Sequence, residues 1–222
     1  MSSFTYDHFV ELVQSYLIVP FASLIPDHPS LTTSVPDDVW HTGDELDPWL
    51  WRVKIVADGH AAYGKFFGSK LTFVRTDLFP LVRAALSRNK SIEARYQDGL
   101  LSQHARKLYS IIQESGSIDS RQLRKLSGLA HKDQKKEYER ALIDLQNGGD
   151  IVISGAQETD AEGGWSSMCY ETAEQWLART GMSAPASLAE ARAELQARLG
   201  AVCSVKAMTY LNKKLGLNVQ HD

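Results

Sequence analysis

Residues 101–155, LSQHARKLYSIIQESGSIDSRQLRKLSGLAHKDQKKEYERALIDLQNGGDIVISG, alternate helical stripes with turn residues in an order that sets the fold class. Leu101, Ala105, Leu108 and Ile112 share one face of a helix that should stop at Gly116. Ile118 reads as a single short strand pairing, and Ser120 as the cap of a short helix, RQLRKLS, that ends at Gly128. A longer helix is predicted from about Lys132 to Gln146, with Tyr138, Ala141, Leu142 and Leu145 inward and Gly148-Gly149 as its stop. IVISG and the later SSMCYE read as strands around the polar, Gly-rich loop AQETDAEGG, residues 156–164. Helix, short strand, helix, helix, strand, loop, strand is the order of a winged helix-turn-helix, whose third helix usually lies in a DNA major groove.

Working outward, Phe9, Leu12, Val13, Tyr16 and Leu17 form a helical stripe that Pro20 helps to close. Residues 20–47 read as irregular, punctuated by Pro20, Pro26, Pro29 and Pro36 and made acidic by Asp37, Asp38, Asp44, Glu45 and Asp47. Asp47-Pro48 resembles an N-cap followed by a first-turn proline, opening a helix to about Ala57. Gly68-Ser69, flanked by aromatic and β-branched residues, predicts a hairpin with strands near 62–67 and 70–75. Thr76 then caps a helix through about Arg88. On the C-terminal side, Thr172 with Gln175 and Ser187 with Glu190 fit capping boxes, and Gly181, Gly200 and Gly216 supply stops. The last helix is placed at about 204–215. The fold class is therefore α+β, mostly helical. It comprises an N-terminal helix and hairpin lobe (1–99), a winged-helix module (100–171) and a C-terminal helical extension (172–222).

Composition excludes several classes. Apolar residues make up 43% and charged residues 23% of 222 residues, which rules out wholesale disorder. A run of about 18 apolar residues is absent, so no membrane span or membrane partner is expected. MSSFTYDHF lacks the pattern of a secretory signal. Cys169 and Cys203 are too few for a disulfide framework and lack metal-ligand spacing, which points to a reducing cytoplasm. The net charge is −3, yet residues 100–155 carry 9 Lys/Arg against 7 Asp/Glu. Any attraction for a polyanion must therefore be local.

Within that basic segment Lys132, Lys136 and Arg140 recur every four residues, with Lys135 beside them, opposite the apolar stripe. In a winged helix this face meets phosphates and base edges, and Arg121, Arg124 and Lys125 on the preceding helix add phosphate contacts. The competing reading is a solvated helix face diluted by Glu137 and Glu139. A second group, Trp49, Trp51, Arg52, Tyr63, Lys65 and Lys70, has the chemistry to stack an extruded base, although large aromatics more often serve the core. The acids of residues 37–47, with His41 among them, could activate water or simply confer solubility. No P-loop, GxGxxG, GxSxG or HExxH occurs, so no cofactor or metal is called for and no catalytic residue is assigned.

The run DPWLWRVKIVADGHAAYGKFFGSKLTFVRTDLFPLV resembles the central segment of bacterial AlkZ-related proteins, and so does YERALIDLQNGGDIVISG. The best-matching pieces are Asp47-Pro48-Trp49, Tyr63-Gly64-Lys65 and Glu139-Arg140-Ala141-Leu142, within a resemblance covering about residues 40–155. It implies kinship with winged-helix (YcaQ-type) DNA glycosylases that excise alkylated bases and unhook crosslinks. Those enzymes position water with a Gln-x-Gln or Gln-x-Asp motif near the N-terminus. Here that region has only Gln14, followed by Ser15 and Tyr16, so the catalytic pair is not carried over. The reading that emerges is a cytoplasmic protein that binds duplex DNA. Its alternatives are a diverged glycosylase using an acid from residues 37–47, and a winged helix reused for protein interaction.

Overall fold

The computed structural model describes residues 4–157 and 166–217. Helix α1 (Tyr6–Tyr16) leads into strand β1 (Ile18–Pro20) through Leu17, whose φ of 67° ends the helix. Pro20 therefore lies in a strand and does not close α1. A proline is tolerated there because β1 is an edge strand. The stretch expected to be irregular also holds α2 (Leu31–Ser34) and a 3-10 turn at Asp37–Val39. Helix α3 (Pro48–Ala57) opens as anticipated, with the Asp47 side chain accepting from Trp49 N at 2.9 Å.

Strands β2 (Ala61–Gly64) and β3 (Thr72–Arg75) pair antiparallel, and β1 joins them in the order β1-β3-β2. They are shorter than the sequence leads one to expect, for a tertiary reason. Helix α4 (Phe79–Ser87) has Leu78 at its N-cap with no side-chain cap, because Thr76 Oγ1 donates to Gly59 O at 2.6 Å instead. A short α5 (Ile92–Gln97), capped by Ser91, was not expected.

Next come α6 (Gln103–Ser115), β4 (Ile118–Asp119), α7 (Ser120–Leu126), a 3-10 turn at Lys132–Gln134, α8 (Lys135–Asn147), β5 (Ile151–Gln157) and β6 (Ser167–Thr172). The three strands form an antiparallel sheet in the order β4-β6-β5. The cap of α7 is Asp119 rather than Ser120, since the aspartate accepts from Arg121 N at 3.0 Å and Gln122 N at 3.3 Å. Most of loop 156–164 lies outside the described residues. Helices α9 (Ala173–Thr180), α10 (Leu188–Gly200) and α11 (Val205–Leu215) follow. The Thr172–Gln175 capping box is present, but Glu190 turns its carboxylate to Ala186 N, leaving Ser187 to cap α10 alone.

The amide side chains at the end of α8 explain the short hairpin. Gln146 Oε1 accepts from Lys65 N at 3.0 Å, and Asn147 Oδ1 accepts from Gly68 N at 2.6 Å. The turn between β2 and β3 thus spends its donors on α8 instead of extending the ladder. Successive residues of the N-terminal sheet face two cores in turn. Val19, Tyr63 and Phe73 point into one core with Phe9, Trp51, Leu108, Ile112 and Tyr170. Ile18, Ala62 and Val74 point into another with Phe79, Trp176, Leu195 and Leu211. Covered on both faces, these strands show no polar alternation.

Candidate nucleic-acid interface

Helix α8 is seated by its apolar stripe, Tyr138, Ala141, Leu142 and Leu145, all buried. Tyr138 Oη donates to Ser120 O at 2.8 Å, which fixes α8 against the start of α7. Arg124 serves the turn between them: its Nε donates to Leu129 O and its Nη2 to His131 O, each at 3.0 Å. That guanidinium also lies 5.9 Å from the Tyr138 ring. The side chain is thereby committed to holding the turn and is only partly exposed.

Lys132, Lys135, Lys136 and Arg140 are exposed, as are Arg121 and Lys125 on α7. Lys135 pairs with Glu139 at 3.6 Å, whereas Lys132, Lys136 and Arg140 form no ion pair among the described residues. Lys132 belongs to the 3-10 turn and not to α8 itself. Because a 3-10 turn winds 3.0 rather than 3.6 residues per turn, the four-residue spacing does not strictly align Lys132 with Lys136 and Arg140. Helices α10 and α11 pack on α4, and the outward residues of α8, Lys136 and Arg140 among them, are exposed.

The aromatic group divides. Trp51 and Tyr63 are core side chains, 1% and 0% exposed, with Tyr63 stacked on Phe73 at 4.4 Å. Lys65 is half-buried and Lys70 exposed. Trp49 stays half-buried, with the Arg52 guanidinium 3.7 Å over its ring. Arg52 is 3% exposed and its Nη1 lies 3.4 Å from Met168 Sδ on β6. Burial pulls its pKa down, while the Tyr63 phenol and Asp47 oppose that shift. Sequence reasoning missed Trp40 and Phe21, and set His41 only among the acids; the three rings gather around Trp49. Their one signal was two aromatics and a histidine inside an acidic, proline-rich stretch.

The sequence profile described as AlkZ related matches residues 3–216. The chain belongs to the AlkZ-related family. No curated protein and no solved structure matches it.

In this AlkZ-related protein the acids of residues 37–47 have distinct fates. Asp37, Asp38, Asp44 and Glu45 are exposed, but Asp47 is 2% exposed. Its carboxylate accepts from the backbone N–H groups of His41, Gly43 and Trp49 at 2.9–3.0 Å, locking the loop before α3. Asp44 and Glu45 line a cleft of about 620 Å³ with Tyr6, Asp7, Trp51 and Lys54. Burial pushes the Cys203 thiol up to about 11, and burial followed by Asp119 raises Cys169. Neither thiol is a thiolate nucleophile near neutral pH. Among the described residues no group of three or more His, Cys, Asp or Glu is placed to hold a metal ion. No described helix is long and apolar enough to cross a membrane.

Proposed function

We propose that this chain is a cytoplasmic, duplex DNA-binding relative of the DNA-repair glycosylases. The unit from α6 to β6 acts as a winged helix and presents α8 to the major groove. The observation that carries this reading is the set of outward, unpaired cations Lys132, Lys136 and Arg140 on a surface no other described element covers. Arg121, Lys125 and Lys135 extend the same positive field, and Arg124 holds the turn that presents it. Access to α8 also favours nucleic acid over a helix buried in a protein–protein contact. Trp49, half-buried with the buried Arg52 guanidinium packed over its ring, is the aromatic of that group best placed to meet a base. No residue here takes over the family's glutamine pair, so binding without the standard chemistry is the reading adopted.

The test is a triple variant, Lys132→Ala, Lys136→Ala and Arg140→Ala, with duplex affinity followed across salt. If each cation neutralises one phosphate, the slope of log affinity against log salt should flatten by about 2.7. Unchanged binding removes this face from the proposal.

One observation favours a second reading, that of a diverged glycosylase. The cleft lined by Asp44, Glu45 and Trp51 is large enough for a nucleobase and has carboxylates in its lining. Incubation with methylated duplex, scored for abasic sites, decides it: sites above background that vanish in Asp44→Asn with Glu45→Gln support catalysis.

A further inference from the structure

A second cleft, of about 520 Å³, opens between α6 and the turn that joins α7 to α8. One wall is the outward stripe of α6, with Gln103, His104, Lys107, Ser110 and Ile111. The other is Ser127, Gly128 and Leu129 of the turn, with Gln134 at the end nearest α8. We infer that this cleft is a phosphate subsite, occupied by a backbone phosphodiester of the same DNA that α8 contacts. The inference rests on the DNA-binding reading and names a contact outside α7 and α8.

Three features carry it. The cations lining the cleft are Arg106 and Lys107; Arg106 is held by Glu93 at 3.3 Å and by the Tyr96 ring at 4.2 Å. Lys107 is exposed and forms no ion pair among the described residues, so its charge is unspent. At Gly128 the opposite wall is bare backbone. Gly128 has φ +74°, and a Cβ there would lie 3.7 Å from Lys107 Nζ, so the ammonium hovers over a turn without a side chain. Such a turn puts no side chain in the way of a phosphate oxygen that approaches the Lys107 ammonium, which is its ligand here because the Gly128 and Leu129 N–H groups already donate to Lys125 O at 3.2 Å and Ser127 Oγ at 3.4 Å. Finally, the wall is rigid. Arg124 holds Leu129 O and His131 O, and Ser127 Oγ donates to Arg124 O at 2.8 Å, so the turn needs little ordering when a ligand arrives. The volume is nucleotide-sized, larger than a lone phosphate requires, and Gln134, which lines it, stands in the chain between Lys132 and Lys136.

Two measurements on the full chain test the assignment. First, anisotropy of a labelled duplex is followed over about 50–200 mM salt for wild type, Lys107→Gln and Lys107→Arg. Loss of one phosphate contact should flatten the salt slope by about 0.9, so Lys107→Gln should lose about 3.5-fold less affinity across that range than wild type. Lys107→Arg should keep the wild-type slope. Equal slopes for all three overturn the subsite while leaving the α8 reading intact. Second, inorganic phosphate is titrated against the 15N-labelled protein. Saturable shifts at the Gly128 and Leu129 amides, lost in Lys107→Gln, support a phosphate site. Saturable shifts in a protein that fails to bind duplex assign the cleft to a free phosphate ester and overturn the DNA assignment. Absence of both shifts and a slope change overturns the site altogether.

Discussion

Asp150 follows the glycine pair that ends α8 and is 2% exposed, facing Arg95, which is also buried. Burial pushes its carboxyl up to about 6; Arg95 pulls it back, but not to the ordinary value of 3.8. Between about pH 4 and 6 the folded chain keeps a proton that the unfolded chain has released. The contribution of Asp150 to stability therefore falls as pH rises through that window. Arg95→Leu should cost about 3–5 kcal/mol at pH 8, where it strands a buried carboxylate. At pH 5 the acid takes up a proton and the deficit should shrink; urea unfolding at the two pH values measures both. An equal loss at both would mean the carboxylate is not stranded. None of this was legible from the sequence, because Arg95 lies 55 residues from Asp150 and on a helix that local pattern did not reveal. Gly148, by contrast, was read only as a stop. In the fold a Cβ there would run into both Arg95 and Asp150.

Among elements, α7 shows how a local rule can name the right helix and the wrong cap. Ser120 and Asp119 are both good capping residues, and nothing in the stripe distinguishes them. The short β4 decides, since its pairing with β6 sets Asp119 opposite Cys169 and leaves its carboxylate over the first amides of α7. Ser167 Oγ also donates to Asp119 at 3.2 Å, tying the cap to β6. Asp119→Ala should therefore destabilise the protein by about 1–2 kcal/mol, whereas Ser120→Ala should stay within about 0.5 kcal/mol. Thermal melts of the two variants separate them, and a larger loss for Ser120→Ala would contradict the assignment. The hairpin makes a related point. Its existence followed from Gly68 and the flanking aromatics, but its strand lengths depended on Gln146 and Asn147, which no local pattern connects to residues 65–68.

At the scale of the molecule, residues of the N-terminal lobe and of the central module share their interior. Phe9, Trp51, Tyr63 and Phe73 from the N-terminal third pack in one cluster with Leu108, Ile112, Leu145 and Tyr170. The opposite face of the N-terminal sheet closes the second cluster around Trp176. Both cores draw residues from that sheet, so unfolding should be one cooperative transition. Far-UV circular dichroism and tryptophan fluorescence, the latter reporting Trp51 and Trp176 from the two cores, should give coincident urea curves. Separated curves would show that the thirds fold independently. The cationic surface, in contrast, was readable almost in full. Lys135, Lys136 and Arg140 are exposed because the apolar stripe of α8 must turn inward, and helical period dictates which residues then face water; Lys132 is exposed too, but from the 3-10 turn before the helix.

Periodicity, turn residues and capping chemistry within a few positions of one another determined the helices from α6 to α8, the strands around them and the side chains they turn outward. These are local free energies that a window of sequence contains. Only the tertiary structure decided that Trp51 and Tyr63 belong to the core while Trp49 stays half-buried, that Arg124 is spent on a turn, and that Lys107 overhangs Gly128. Each of those outcomes depends on which distant surface arrives to exclude water or supply a partner, and burial is a property of the assembled neighbours.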